Sequence, residues 1–154
     1  MKRRKFITLL GAAAAARPLA AWAQEPGRIY RLGSVHTSPR DAPNHVAFFA
    51  ELRRLGFIEG QNLAVDEHGY GLRGDQMEGH AAELAKLDVD VILAGGDAAV
   101  RAAQRATGKI PILALTDDMV GQGFVRSLAK PSGNTTGVTL LASELDGKRQ
   151  EILL

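Results

Sequence analysis

A chain of 154 residues, 45% hydrophobic and 23% charged, has the length of one ordinary domain and enough apolar side chains for one core. Of its 19 basic residues, five (Lys2, Arg3, Arg4, Lys5 and Arg17) fall in residues 1–23, which carry no acid, so the formal charge of +2 hides a remainder with 14 basic against 17 acidic residues, a net −3. That balance removes the electrostatic case for nucleic acid or an anionic membrane surface, and the absence of cysteine excludes disulfides, thiolate metal sites and a lipidated N-terminal cysteine.

Residues 1–23 are expected to be an export address rather than part of the fold. Met1–Lys5 is cationic, Phe6–Ala16 is apolar and rich in alanine, and Ala21-Trp22-Ala23 offers a peptidase small residues at the two positions it reads. The run RRKFIT is similar to the twin-arginine motif, with cleavage expected after Ala23. A membrane anchor is disfavoured because eleven helical residues rise only about 16 Å against about 30 Å of hydrocarbon. The mature chain is therefore expected in the periplasm and not to span the membrane.

After a linker over 24–28, strand and helix patterns alternate across 29–141. Ile29–Val35 reads as a first strand ending in the polar run Ser34, His36, Thr37 and Ser38. Asn44 precedes a helical stripe of Val46, Phe49, Leu52 and Leu55, with Gly56 placed to end it. Gly60-Gln61-Asn62 turns into a second strand, Leu63–Glu67. A glycine-bearing loop (Gly69, Gly71, Gly74) leads to a helix over 76–87.

Val89–Ala94 is an apolar run stopped by Gly95-Gly96, the pattern of a strand buried on both faces. Asp97 is placed to cap a helix over Ala98–Ala106. Ile110–Leu115 is a fourth strand, ending at Thr116-Asp117-Asp118. A fourth helix is expected around Val120–Ala129, then a turn-rich connector over 130–137 and a fifth strand over Val138–Leu141. Glu144–Leu154 restarts a helical pattern and stops without a cap, which reads as a fragment, or a truncated gene product, rather than a finished domain. Strands separated by helices predict a Rossmann-like α/β lobe with a five-stranded, mainly parallel sheet flanked by helices.

In an open parallel sheet, ligands bind at the carboxyl ends of strands, where helix N-termini present free N–H groups. That rule gathers three segments: Ser34–Ser38, Gly95–Ala98 and Thr116–Asp118. Together they bring hydroxyls, backbone amides and carboxylates suited to a small zwitterion. Each residue also has a plainer role available: Asp97 as a cap, Gly95-Gly96 as a turn, Ser38 and Asp41 as loop formers. Gly95-Gly96 lacks the spacing of a dinucleotide loop, there is no Walker loop, and no G-x-S-x-G elbow accompanies Ser34 or Ser38. His36, His45, His68 and His80 lie on separate elements without metal-ligand spacing and are expected at the surface or in loops. No cofactor, metal or catalytic residue is implied.

The pieces RRKFITLLG, LRRLGFIEGQNLAVD, AAELAKLDVDVILAGG, KIPIL, GFVRSLAKPSGNTTGVT and ELDGKRQEILL, in this order, carry a resemblance. The chain resembles the N-terminal half of the ABC-transporter substrate-binding protein family of the tryptophan/tyrosine type, with the type 1 periplasmic-binding fold. The resemblance implies a two-lobed protein that holds a small-molecule solute, amino-acid-like or another small polar organic one, in the cleft and delivers it to an inner-membrane permease. It places Ser34, His36, Thr37, Gly96, Asp97, Thr116, Asp117 and Asp118 toward that cleft. Two departures stand out. The family often has a hydroxyl residue and proline after the double glycine, where this chain has Asp97-Ala98, and Asp-Pro after strand four, where it has Asp118-Met119. With one lobe only, solute binding is expected to be weak or absent. The other readings are a ligand-sensing lobe for a membrane receptor or two-component sensor, and a periplasmic enzyme on the same scaffold.

Overall fold

The structure, a computed structural model, describes residues 27–131 and 133–140. The expected export signal, most of the linker and the segment after Leu140 lie outside the described residues. Within them the elements run β1 (Tyr30–Val35), α1 (Pro43–Arg54), β2 (Leu63–Val65), α2 (Met77–Lys86), β3 (Val91–Gly95), α3 (Asp97–Ala106), β4 (Ile112–Thr116) and β5 (Thr135–Thr139). The five strands form one sheet in the order β2-β1-β3-β4-β5, every pair parallel. The expected α/β lobe is therefore the observed one.

The apolar runs decide where the sheet is thickest. Ile92, Leu93 and Ala94 of β3 are all buried, two of them against the helices on one face and Leu93 on the other. On the first face, α2 and α3 contribute Met77, Ala81, Leu84, Ala99, Val100 and Ala103 over Val35, Ile92, Ile112 and Ala114. The many alanines let these helices lie close to the sheet, and Gly33 takes part in this: a β-carbon there would press on the δ-methyls of Leu84. On the opposite face α1 packs Phe48, Phe49 and Leu52 over Leu32, Leu63 and Leu93. Farther along that face, Val138 of β5 and Leu140 after it are 57% and 52% exposed.

Helix α1 differs in phase from the expected stripe. Phe49 and Leu52 pack inward as expected, but Val46 and Leu55 face solvent, and His45 and Phe48 complete the buried side. Its end is as read: Gly56 adopts φ +90°, its N–H bonds the Arg53 carbonyl (3.0 Å), and the Phe57 N–H bonds the Leu52 carbonyl (2.9 Å). That is the Schellman arrangement, with Phe57 and Leu52 sharing one apolar cluster.

Two expectations between β4 and the end of the sheet are corrected. No fourth helix forms over 120–129; the chain there is a series of turns. The Asp118 carboxylate accepts the N–H groups of Val120 (3.1 Å) and Gly121 (2.8 Å), which ties the backbone locally, and Gly123 sits at φ +73°. Met119, Phe124 and Val125 still reach the core from these turns. The fifth strand starts earlier than expected, at Thr135, inside what reads as a connector. Thr135 is buried and accepts a hydrogen bond from Gln104 of α3 (3.0 Å), and Gly137 lies so close to β4 that a β-carbon would overlap the Ala114 carbonyl. Asn134 secures the approach by donating to the carbonyls of Thr107 and Ile110.

Candidate ligand-binding site

The carboxyl ends of β1, β3 and β4 stand side by side in the sheet, so the chain segments that leave them meet along one edge. Between them lies an open cavity of about 450 Å³. Its lining includes His36, Thr37, Ser38, Gly95, Gly96, Asp97, Thr116 and Asp117, with Asn44 of α1 and Leu140 at the rim. Six of the eight residues expected at a cleft (His36, Thr37, Gly96, Asp97, Thr116 and Asp117) are brought together here.

The other two are placed elsewhere. Ser34 is fully buried and donates its hydroxyl to the Tyr70 oxygen at 2.8 Å. Asp118 turns its carboxylate onto the amides of Val120 and Gly121 and does not line the cavity.

Asp97 does not cap α3 through its side chain. Gly96 is the cap residue, at φ +90°, a conformation that favours glycine, and Asp97 occupies the first helical position without a side-chain capping bond. Its carboxylate instead accepts the hydroxyl of the buried Thr116 across the β3–β4 junction. The backbone around it is pinned: the Gly96 N–H bonds the Leu115 carbonyl (2.8 Å), and the Leu140 N–H bonds the Thr116 carbonyl (3.0 Å).

His45, on α1, contradicts the expectation of surface or loop positions, and His36, in the loop after β1 as expected, is buried there. His36 is 3% exposed, His45 2%. The His36 ring stacks on Tyr70 (centroids 5.7 Å apart, planes at 4°) and meets His45 edge-on at 4.6 Å. It also rests on Gly95, where a β-carbon would overlap its Nδ1. His45 donates Nδ1–H to the Pro39 carbonyl (2.9 Å), and the Nε2 atoms of both histidines are buried with no hydrogen-bond partner among the described residues. Burial first, then the neighbouring His45, lowers the His36 pKa from 6.5 to about 4, so its ring is neutral at physiological pH. Burial likewise pushes the Tyr70 hydroxyl up, though its bond from Ser34 acts the other way. Of the remaining two histidines, His80 is held by Asp66 (2.8 Å) and His68 is exposed.

Tyr70 is the residue that the sequence reading missed. It arrives on the loop after β2, which is stitched onto the extension of β1: the His36 N–H bonds the Gly69 carbonyl, and the Leu72 N–H bonds the His36 carbonyl. Gly69 passes so close that a β-carbon would overlap the Ser34 carbonyl. The alternation Gly69-Tyr70-Gly71 was the available signal, a bulky ring between two residues able to follow a tight path.

A parallel sheet ordered 2-1-3-4-5 with a polar cavity at the strand ends is a doubly wound α/β lobe of the kind that takes ligands at the carboxyl ends of its strands. The chain belongs to the ABC transporter substrate binding protein family, whose model matches residues 49–151. Members of that family bind substrates rather than transform them. Among solved structures the chain is similar to the ligand-free, open form of CD0873, a substrate binding protein with adhesive properties from Clostridium difficile: 27% identity and a TM-score of 0.66, covering 72% of this chain and 39% of that one. It shares its fold with a conserved domain protein from Vibrio cholerae (23% identity, TM-score 0.65, 73% of this chain and 39% of that one). The same holds for an ABC domain in complex with L-Trp from Streptococcus pneumonia (20%, 0.59, 72% and 38%). The chain thus spans about two fifths of the length of these solved relatives. No curated protein matches it. No helix among the described residues is long and apolar enough to cross a membrane.

Proposed function

We propose that this chain is the N-terminal, solute-contacting lobe of the binding component of an ABC importer, exported to the periplasm on a twin-arginine signal that is cleaved after Ala23. It receives a small polar organic solute in the strand-end cavity and, completed by a second lobe, presents it to an inner-membrane permease. The observation that carries this reading is the convergence of Thr37, Gly96, Asp97, Thr116 and Asp117 from three separate strand ends around one cavity. Membership of the substrate-binding family supports it. No cofactor is needed for it.

One lobe supplies only part of the contacts that closure around a solute provides, so the affinity expected of the 154-residue chain is weak, in the millimolar range. A thermal-shift screen with the L-amino acids and small amines tests the reading. A solute at ten times its dissociation constant adds about 1.4 kcal/mol to folded-state stability and raises the unfolding midpoint by several degrees. At least one solute in the panel is expected to do so. A screen in which none raises the midpoint, up to tens of millimolar, counts against solute binding.

A further inference from the structure

The charge of the cavity selects among the solutes that could enter it. Among the described residues its ionisable lining consists of Asp97, Asp117 and His36, with no lysine or arginine. His36 is buried and neutral, so Asp97, at the start of α3, gives this part of the wall its negative character. The amides in the first turn of α3 would ordinarily attract an anion, but Asp97 occupies that turn itself and its carboxylate already complements the helix dipole. The buried Thr116 hydroxyl fixes the Asp97 carboxylate in place. A carboxylate can accept about four hydrogen bonds, so that single bond leaves most of its capacity for a ligand.

Resting on the reading of this cavity as the solute site, we infer that this lobe contacts the cationic group of the solute, an ammonium or other protonated amine, with Asp97 as the specificity-determining residue. A solute carboxylate, if there is one, is left to the second lobe. Asp97 stands where the resemblance would place a hydroxyl residue, so this preference belongs to this chain's own sequence.

Group-sized probes separate charge preference from the unidentified solute skeleton. Ethylammonium and propionate, each titrated into the isotopically labelled 154-residue chain, are followed by amide chemical shifts at constant ionic strength. Ethylammonium is expected to shift the amides of Gly96, Asp97 and Asp117 with saturation, and propionate is expected to leave them in place. Asp97→Asn should weaken the ethylammonium response by about threefold or more, with the same spectra reporting that the variant is folded. Asp118→Asn removes an equal charge outside the cavity and should leave the response unchanged, which separates a local contact from a general field. Saturable shifts of these amides by propionate and not by ethylammonium would overturn the charge assignment while leaving the solute site standing. No saturable shift there by either ion would overturn both. The wild-type comparison decides the matter even if a variant fails to fold.

Discussion

Lowering the pH from 7 to 4 is expected to remove about 3 kcal/mol from the folded state through His36 alone. The ring is 3% exposed among Tyr70, His45 and Gly95, and its Nε2 has no partner to share a proton's charge. In the unfolded chain the imidazole takes up a proton at its ordinary 6.5, whereas the folded protein resists until about 4. Between those values the unfolded state binds more protons, so stability falls as the pH falls through this window. It is fully present above 6.5 and exhausted by about 4. Carboxylates act lower on the scale: Asp90, bonded by the Arg31 amide and paired with Arg28 at 2.5 Å, is held below its usual 3.8, so its contribution is lost only under more acidic conditions. Chemical unfolding at pH 7, 5.5 and 4.5 measures the slope, and His36→Phe, which keeps a stacking ring and removes the titration, should flatten it. A wild-type stability that does not change between pH 7 and 4.5 would mean that His36 is not buried as described.

Leu84→Ala is expected to cost about 3 kcal/mol, within the range found for leucine truncation in rigid cores. Leu84 is fully buried on α2, and its δ-methyls fill the space left by the missing side chain of Gly33 on β1. Two of its surroundings cannot move in to close the gap: the β1 backbone is held between β2 and β3, and Ala81, one turn earlier on the same helix, has no length to reach across. The urea midpoint should therefore drop with the slope of the transition unchanged. A loss below 1 kcal/mol would show that α2 does not pack on β1 in this register.

The parallel sheet was legible because the central strands are short β-branched or apolar runs closed by glycine or polar residues, as in VILAG and ILALT. The fourth helix was misread for a physical reason. GQGFVRSLA has apolar residues at plausible helical spacing, but its two glycines and the Asp118 side chain stabilise turns from which Phe124 and Val125 reach the core individually. The fifth strand was placed late because NTTG has the composition of a turn. What makes it a strand is tertiary: Gln104 bonding Thr135, and the need for glycine against the Ala114 carbonyl.

Much of the candidate site followed from one rule, that chain segments leaving adjacent parallel strands converge. That rule brings Thr37, Gly96, Asp97, Thr116 and Asp117 to one cavity, as the structure has them. It cannot say which way a side chain turns once there. Asp118 is captured by its own backbone, Ser34 is drawn under Tyr70, and Asp97 reaches Thr116 instead of capping its helix. The two buried histidines were unreadable because nothing local distinguishes them. His45 sits on the inner face of α1 because the buried side begins there and runs on through Phe48, Phe49 and Leu52, one residue earlier than the Val46 start that the spacing suggests.

The central claim is that solute enters at the strand ends and not at a second concavity, an apolar groove of about 420 Å³ lined by Tyr30, Phe48, Leu52, Phe57 and Val91 beneath α1. Mapping backbone amide shifts while titrating a solute identified by thermal shift tests it most directly. The account predicts that the largest saturable changes fall on Thr37, Gly96, Asp97 and Asp117. Changes concentrated on Tyr30, Phe48 and Leu52, with the strand-end amides unmoved, would contradict it.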